Sequence, residues 1–256
     1  MPLSGRAQAT EGARAYDRLW SEIDRCAVCT DDSRIDSGIR ERWKAEAFLP
    51  YPGVGPEPPG MPVRYLLVAM EPSSRPKRKK TREYMRKKIA EGSRNFKGDF
   101  HIRFAAHKWL AARGTEAFVM TDLAKCMVRG KDAGPTASHR YENCRPWLGR
   151  EIEPFGDTLR AIVPVGNAPH KWLRAFAQES WPTITKPIVH PAMRFTKWKD
   201  GQADYDGLPN EDEFRTFAQW CDPTGKPRLG TRELRLLARW NVQFAEIRAK
   251  LDLLGR

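Results

Sequence analysis

The chain has 256 residues, of which 40% are hydrophobic, and its formal net charge is +13. It contains no apolar run of about 18 residues, which a membrane-spanning helix would need, and Met1–Arg6 has no apolar stretch of signal-peptide type. We therefore expect a cytoplasmic protein without a membrane segment, whose excess positive charge favours a polyanionic partner such as nucleic acid.

The predicted elements alternate between helices and strands. Residues 1–12 are expected to be flexible, and Ala13–Arg25 has the apolar spacing of an amphipathic helix. Residues 50–62 are rich in Pro and Gly and predict a loop. Four short apolar runs predict buried parallel strands at 65–70, 117–120, 159–165 and 184–189. Helices are predicted at 80–91, 101–113, 138–153 and 168–178, and two more follow a polar stretch at 197–212.

This alternation predicts a three-layer α/β/α sandwich with a central, mainly parallel four-stranded sheet. We expect one domain over residues 13–256, in which residues from about 210 to 254 form a helical extension. Ligands bind beyond the carboxyl ends of parallel strands, so polar residues that follow the strands are site candidates. Three residues meet this condition: Glu71 before Pro72, Asp122, and His190 before Pro191.

Four of the five cysteines have a spacing typical of metal ligands. Cys26 and Cys29 form a C-x-x-C pair, and Cys126 and Cys144 follow downstream. In a cytoplasmic protein such thiols are more often reduced ligands or core residues than disulfides. Four thiolates can hold an iron–sulfur cluster or zinc, and the spacing alone leaves both open. Cys221 has no partner in this pattern and is interpreted as a packing residue.

The residues around these cysteines carry a family resemblance. Thr121–Cys126 has the pattern T-x-x-x-K-C, Cys144–Leu148 reads C-R-P-W-L, and His190–Ala192 reads H-P-A. Together with the C-x-x-C pair and the acid–proline turn after the first predicted strand, these motifs resemble the iron–sulfur uracil-DNA glycosylases of the family 4 type. The resemblance runs from about Cys26 to Phe195 and implies excision of a base from DNA.

The resemblance also implies a cofactor, a 4Fe–4S cluster, with zinc as the alternative. In that arrangement the cluster has a structural role, because it pins the N-terminal segment to the loop after the second predicted strand. The four implied ligands are Cys26, Cys29, Cys126 and Cys144.

Two of the strand-end residues receive catalytic roles from the resemblance. Glu71 stands in the first family motif, where a carboxylate can activate water for attack on the sugar C1′ atom and offset positive charge on the sugar. His190 stands in the second motif, where the family histidine donates a hydrogen bond to O2 of the departing base. For both residues a structural role is the alternative. No lysine stands at a Schiff-base position, so lyase activity is not expected.

Two departures from the family pattern bear on which base is excised. Asp122 replaces the family's Asn, and an ionised carboxylate only accepts hydrogen bonds. It would repel O4 of uracil and suits the N4 amino group of cytosine. Ser73 replaces a tyrosine that blocks the C5 side of the base in one branch of the superfamily. Together the two residues predict a 5-modified cytosine, hydroxymethylated or glucosylated as in some phage DNA; a capping role for Asp122 is the alternative.

Further residues are expected to contact the base or the duplex. Phe96 or Phe100 can stack on a flipped base, and the spacing does not separate them. The basic run after Ser73 suits contacts to phosphates, although such runs are often only solvated faces. The substrate-binding candidates are Met70, Ser73, Phe96, Phe100, Asp122 and Asn167. The DNA-binding candidates are Arg75, Lys77, Arg78, Lys79, Lys80 and the wedge residues Met193, Arg194 and Phe195.

The sequence thus predicts a monofunctional DNA glycosylase, expected to be a monomer, that flips and excises a modified pyrimidine. One alternative is an ordinary uracil-DNA glycosylase of base excision repair, in which Asp122 is tolerated. Another is a DNA-binding iron–sulfur protein without turnover. Repair and defence against phages with modified genomes both remain open as the biological role.

Overall fold

The computed structural model describes the sheet and most of the helices around it. It covers residues 3–45, 49–50, 54–58, 60–71, 100–111, 114–128, 130–188, 212, 216 and 231–254. No helix within these ranges is both long and apolar enough to cross a membrane.

The helices of the described ranges lie on both sides of the chain's strands. The α-helices are α1 (Leu3–Ile23), α2 (Val28–Asp31), α3 (Ser37–Ala45), α4 (Phe100–Leu110), α5 (Gly130–Ile152), α6 (Asn167–Phe176) and α7 (Thr231–Leu254). A 3₁₀ helix, Glu153–Thr158, follows α5 directly.

The strands form one large sheet and one short ribbon. They are β1 (Leu49–Pro50), β2 (Val54–Glu57), β3 (Val63–Ala69), β4 (Ala117–Asp122), β5 (Cys126–Met127), β6 (Ala161–Pro164) and β7 (Thr183–Ile184). The large sheet has the order β2-β4-β3-β6-β7. Strands β4, β3, β6 and β7 are parallel, whereas β1 and β5 pair antiparallel. The predicted parallel sheet is therefore confirmed, with all four predicted strands present.

The large sheet has one strand more than predicted. Residues 50–62 were expected to form a loop, but Val54–Glu57 pairs antiparallel with β4. This strand lies at the edge of the sheet, and its pairing with β4 is irregular between Val54 and Glu57. Pro56 lies in that interval, and edge strands and bulges are the places where proline is tolerated in a sheet. The Pro and Gly content that predicts a loop is equally compatible with a short, irregular edge strand.

The core consists of two layers of side chains, one on each face of the sheet. Successive residues of β3 alternate between them: Leu66 and Val68 face one layer, and Tyr65 and Leu67 face the other. Helices α4 and α7 cover the second face, and α1, α5 and α6 cover the first. This arrangement is the predicted α/β/α sandwich.

Two helices begin earlier than the sequence predicts. Helix α1 begins at Leu3 instead of Ala13, and α5 begins at Gly130 instead of residue 138. In α1, a Cβ at Gly12 would come within 2.7 Å of the Pro154 carbonyl oxygen, so this glycine serves close helix packing rather than ending the helix. In α5, Asp132 accepts hydrogen bonds from helix α3. Tertiary contacts thus override the local helix-breaking signals.

Candidate active site

The turns after β3 and β4 are joined by their backbones at the carboxyl edge of the sheet. Ala69 and Asp122 are paired across the two strands. Beyond this pair, the Leu123 N–H donates to the Ala69 carbonyl (2.9 Å) and the Ala124 N–H donates to the Met70 carbonyl (3.2 Å). Met70 is exposed. Glu71, two residues beyond β3, and Asp122, the last residue of β4, therefore lie at strand ends that are side by side.

The carboxyl end of β6 lies at the same edge. The Val165 N–H donates to the Val68 carbonyl at 2.8 Å, and the chain then enters α6 through Gly166. Asn167 is the first residue of α6 and is exposed. The structure thus brings three predicted candidates, Glu71, Asp122 and Asn167, to one edge.

Glu71 is ion-paired with a buried arginine that the sequence reasoning did not single out. Nη2 of Arg140 donates to Oε2 of Glu71, and the two side chains are 1% and 18% exposed. Arg140 is itself held within α5, since Nε donates to Oγ1 of Thr136 (3.0 Å) and Nη2 donates to the Ala133 carbonyl (2.9 Å). The carboxylate after β3 is therefore oriented by the rigid helix α5.

Tyr141 places a phenol close to both carboxylates. Burial raises its pKa to about 12, and the negative charges of Glu71 and Asp122 contribute, while Arg140 opposes them. Its ring meets the edge of Trp172 in α6, with ring centroids 5.5 Å apart. Tyr141 is thus a neutral hydroxyl at ordinary pH, next to the candidate site.

A buried ion pair lies directly behind Asp122. Nζ of Lys125 donates to the carboxylate of Glu151, to Oγ1 of Thr121 (2.9 Å) and to the backbone carbonyl of Asp122. Thr121 in turn donates to Glu151 at 2.7 Å. Burial raises the pKa of Glu151, and the charge of Lys125 opposes this shift. All three N–H donors of the lysine are used, so the turn that carries Asp122 is held firmly against α5.

The four predicted ligand cysteines are free thiols. Cys29, Cys126 and Cys144 are buried, and Cys26 is partly exposed. Cys29 and Cys126 belong to one small core cluster. Within the described ranges, however, no group of three or more His, Cys, Asp or Glu side chains forms a site that could hold a metal ion.

Two of these thiols interact directly. The hydrogen bond from Cys29 lowers the pKa of Cys144 to about 7, helped by the backbone N–H of Lys125 (3.4 Å) and by the charges of Lys125 and Arg140. The same contact and burial raise the pKa of Cys29. The Asn143 side chain also donates to Cys29 Sγ at 3.7 Å. N–H donors and positive charges around a sulfur are the surroundings that a thiolate ligand requires.

Polar contacts tie the segment that carries Cys26 and Cys29 to helix α5. Arg34 donates to Asp32, Glu142 and Asn143, and these bonds to Arg34 hold the pKa of Asp32 below its usual range. Asn143 also donates to Asp32 at 2.8 Å. Asn143 directly precedes Cys144 in α5, so these hydrogen bonds hold the segment of Cys29 against the helix that carries Cys144.

Most of the remaining predicted site residues lie outside the described residues. Phe100 opens α4, but its side chain is not among those described. The other candidates lie wholly outside the described ranges: Ser73, Phe96, His190, Arg75, Lys77, Arg78, Lys79, Lys80, Met193, Arg194 and Phe195. Their roles remain predictions.

The candidate-site residues that the sequence did not predict all lie on helix α5. Arg140, Tyr141 and Glu151 all lie on α5 with Cys144. Arg140 precedes Cys144 by four residues, and Glu151 follows it by seven. This spacing places Arg140, Cys144 and Glu151 on one face of the helix. Once Cys144 is assumed to point inward, the same spacing would have identified Arg140 and Glu151.

Residues 81–219 match the sequence profile of the Uracil DNA glycosylase superfamily, a stretch of more than half of the chain. The chain belongs to this superfamily. The match includes Asp122, Cys126, Cys144 and the H-P-A motif, whereas Glu71 and the C-x-x-C pair precede it. No curated protein matches the chain. The parallel sheet with helices on both faces agrees with membership of the uracil-DNA glycosylase superfamily.

Proposed function

We propose that the protein is a monofunctional DNA glycosylase that excises a 5-modified cytosine, hydroxymethylated or glucosylated. The observation that carries this proposal is the joining of two acidic turns at the carboxyl edge of the sheet. Glu71 lies in the turn after β3, Asp122 directly precedes the turn after β4, and backbone hydrogen bonds connect the two turns. A base and its sugar bound at this edge would meet one carboxylate each.

Glu71 is proposed to act at the sugar. Its Oε2 atom is engaged by Arg140, and a carboxylate has about four lone-pair sites, so the pairing leaves acceptor capacity for water. Glu71 would orient that water for attack on C1′ and offset the positive charge that develops on the sugar. His190 would donate to O2 of the base as the N-glycosidic bond breaks.

Asp122 is proposed to read the edge of the base. A carboxylate accepts but does not donate, which suits the N4 amino group of cytosine and disfavours O4 of uracil. Lys125, which is paired with Glu151, donates a hydrogen bond to the backbone carbonyl of Asp122. This contact supports a recognition role for Asp122, because a side chain that recognises a base must be held rigidly. Ser73 would leave room for a substituent at C5, and Phe96 or Phe100 would stack on the base.

The substrate is proposed to be duplex DNA bound through basic residues. The net charge of +13 favours a polyanion, and the superfamily match supports DNA. The basic residues between Arg75 and Lys80 would contact phosphates, and Met193, Arg194 and Phe195 would support the flipped state of the base.

We also propose that the four thiols hold an iron–sulfur cluster. The support is the type of donor, since thiolates are the usual ligands of a 4Fe–4S cluster, and N–H donors lie beside Cys29 and Cys144. The described side chains do not by themselves form a group of three or more metal ligands. Cys26, Cys29, Cys126 and Cys144 would be the ligands. The cluster would supply a structural cross-link between the N-terminal segment and α5, and zinc is the alternative occupant.

The ligand set can be tested by measuring iron and acid-labile sulfide in the purified protein. We expect both to fall sharply in each of the variants Cys26→Ser, Cys29→Ser, Cys126→Ser and Cys144→Ser. Cys221→Ser is the matched control and should retain the wild-type content. Zinc in place of iron, or an equal loss in the Cys221 variant, would contradict the proposal.

The function is tested by base release from duplexes that carry hydroxymethylcytosine, glucosylated hydroxymethylcytosine, uracil, cytosine, or thymine opposite guanine. We expect cleavage at the modified cytosines. Glu71→Gln should lower the rate by about 10²–10⁴-fold, whereas Glu22→Gln, at an exposed acid paired with Arg150, should not. Asp122→Asn should shift the preference towards uracil, by about 1–3 kcal/mol.

The superfamily membership supports one further candidate, an ordinary uracil-DNA glycosylase. Release of uracil alone from the panel would favour it and would remove the recognition role proposed for Asp122. If no base is released but the duplexes are bound equally by wild type and Glu71→Gln, the protein is a DNA-binding member without turnover.

A further inference from the structure

The guanidinium of Arg140 is a buried positive charge beside the candidate site. Its side chain is 1% exposed, and a buried charge is costly unless it is paired and hydrogen-bonded. Glu71 supplies the opposite charge. Thr136 and Ala133 supply the neutral acceptors from the same helix.

Arg140 is the more firmly anchored member of this ion pair. Arg140 is anchored by α5, and Thr136 is anchored in turn by donating to the Asp132 carbonyl at 2.6 Å. Glu71 stands two residues beyond the end of β3 and is the more exposed partner. The helix therefore holds the carboxylate in place beyond the carboxyl end of β3.

Among the described residues, one nitrogen of the Arg140 guanidinium has no hydrogen-bond partner. This nitrogen is Nη1, and it is buried. An unpaired buried donor costs about 1–3 kcal/mol, so a partner for this nitrogen is expected. The unused N–H beside Glu71 suits an acceptor that arrives with substrate or solvent.

We propose that Arg140 is the positioning residue for Glu71. It holds the carboxylate at the edge where the sugar would bind, by means of a fork-shaped guanidinium that contacts Glu71, Thr136 and Ala133 at once. This inference rests on the proposed glycosylase function. Lysine would keep the charge, but its three donors share one nitrogen and lack the fixed spacing of Nε and Nη2 by which Arg140 contacts both Thr136 and Glu71.

The test compares two arginines that each pair with a glutamate at an end of the parallel strands. Arg140→Gln and Arg140→Lys remove the fork beside Glu71. Arg248→Gln is the control, since Arg248 pairs with Glu116 (2.8 Å), which immediately precedes β4 at the opposite edge of the sheet. All variants are first compared with wild type by thermal unfolding, and single-turnover base release is then measured against substrate concentration.

We expect Arg140→Gln to lower the maximal rate by about 10²-fold with KM nearly unchanged, because a displaced catalytic group costs about this much. Arg140→Lys should lie between wild type and Arg140→Gln, and Arg248→Gln should keep the wild-type rate. If Arg140→Gln does not fold, Arg140→Lys alone is required to show a lower maximal rate than wild type, with KM nearly unchanged. An unchanged rate in the Arg140 variants, or an equal loss in Arg248→Gln, overturns the inference.

A second measurement separates this inference from the proposed function. Hydrogen exchange of the Arg140 guanidinium is followed by NMR in wild type and in Glu71→Gln. Slow exchange that becomes fast in Glu71→Gln supports the positioning contact even if wild type releases no base from the panel, in which case only the proposed function fails. Fast exchange in wild type overturns the positioning role whatever the activity.

Discussion

At the scale of single residues, Gly166 has a backbone conformation that side chains rarely adopt. Its φ and ψ angles are 111° and 163°, a region that is essentially restricted to glycine. Among the described residues, an added Cβ would meet Cδ of Pro169 at 3.6 Å, which is an ordinary van der Waals contact. The requirement for glycine therefore comes from the backbone, at the point where β6 turns into α6 beside the candidate site.

We predict that Gly166→Ala destabilises the protein by about 1–3 kcal/mol, the usual cost of such strain. Gly149→Ala is the matched control, since Gly149 lies within α5 and an added Cβ there would have no neighbour within 4 Å among the residues that the structure describes. It should stabilise the protein by about 0.5–1 kcal/mol. Urea unfolding followed by circular dichroism measures both, and equal effects of the two changes would contradict the backbone explanation.

The residues of the candidate site differ in how well the sequence predicts them. Glu71 and Asp122 were identified because each directly follows an apolar strand, and the end of a parallel strand has a known position in the fold. Arg140 and Tyr141 were not identified. The sequence predicts the helix from 138 to 153, but the face that meets the sheet is decided by tertiary packing, which the apolar pattern did not specify.

At the scale of elements, the buried pair of Lys125 and Glu151 joins the turn after β4 to α5. The lysine and glutamate are 1% and 0% exposed. Removing one member of such a pair leaves an uncompensated buried charge, whereas replacing both members with apolar residues is often close to neutral. Measuring the stability of a single and a double variant distinguishes removal of one member from replacement of both.

We predict that Lys125→Met lowers the free energy of unfolding by about 3–5 kcal/mol and that adding Glu151→Leu restores most of the loss. The single variant should also become less stable as pH rises from about 5 to 8. The pKa of Glu151 is already raised by burial, and without Lys125 the folded state retains its proton to higher pH than the unfolded state. Urea unfolding at the two pH values measures this, and additive single-variant losses would contradict it.

The boundaries of the elements show where local signals were insufficient. The four parallel strands were predicted from short apolar runs, because strands buried on both faces have no alternation to obscure them. Strand β2 was missed because it contains Pro56, which is compatible with a strand only at the edge of a sheet. The N-terminal turns of α5 were missed because Asp132 is held by Arg42 and Trp43 of α3, residues distant in the sequence.

At the scale of the whole molecule, several tyrosines make folding sensitive to alkali. Tyr16, Tyr65 and Tyr141 all have raised pKa values, and burial is the largest cause for each. A phenol with a raised pKa keeps its proton in the folded state after the unfolded chain, with a pKa of about 10, has lost it. Its contribution to stability is therefore complete below about pH 10 and is lost as pH rises towards the folded-state value.

We predict that the free energy of unfolding falls between about pH 10 and 12, and that the fall is smaller in Tyr141→Phe. Guanidinium or urea unfolding at pH 8, 10 and 11 measures the slope. Because Tyr141→Phe leaves Tyr16 and Tyr65 in place, it should reduce the slope without removing it. An identical slope in wild type and variant would mean that Tyr141 ionises equally in the folded and unfolded states.

Helix α5 carries the partner of Glu71, the phenol beside both acids, a thiol of the proposed cluster and the buried partner of Lys125. Each residue of an α-helix turns about 100° relative to the one before it. A single inserted or deleted residue between Arg140 and Glu151 would therefore rotate one part of this set out of register with the rest. Natural variation in the length of this protein should be confined to its connections, and engineered insertions should be directed there.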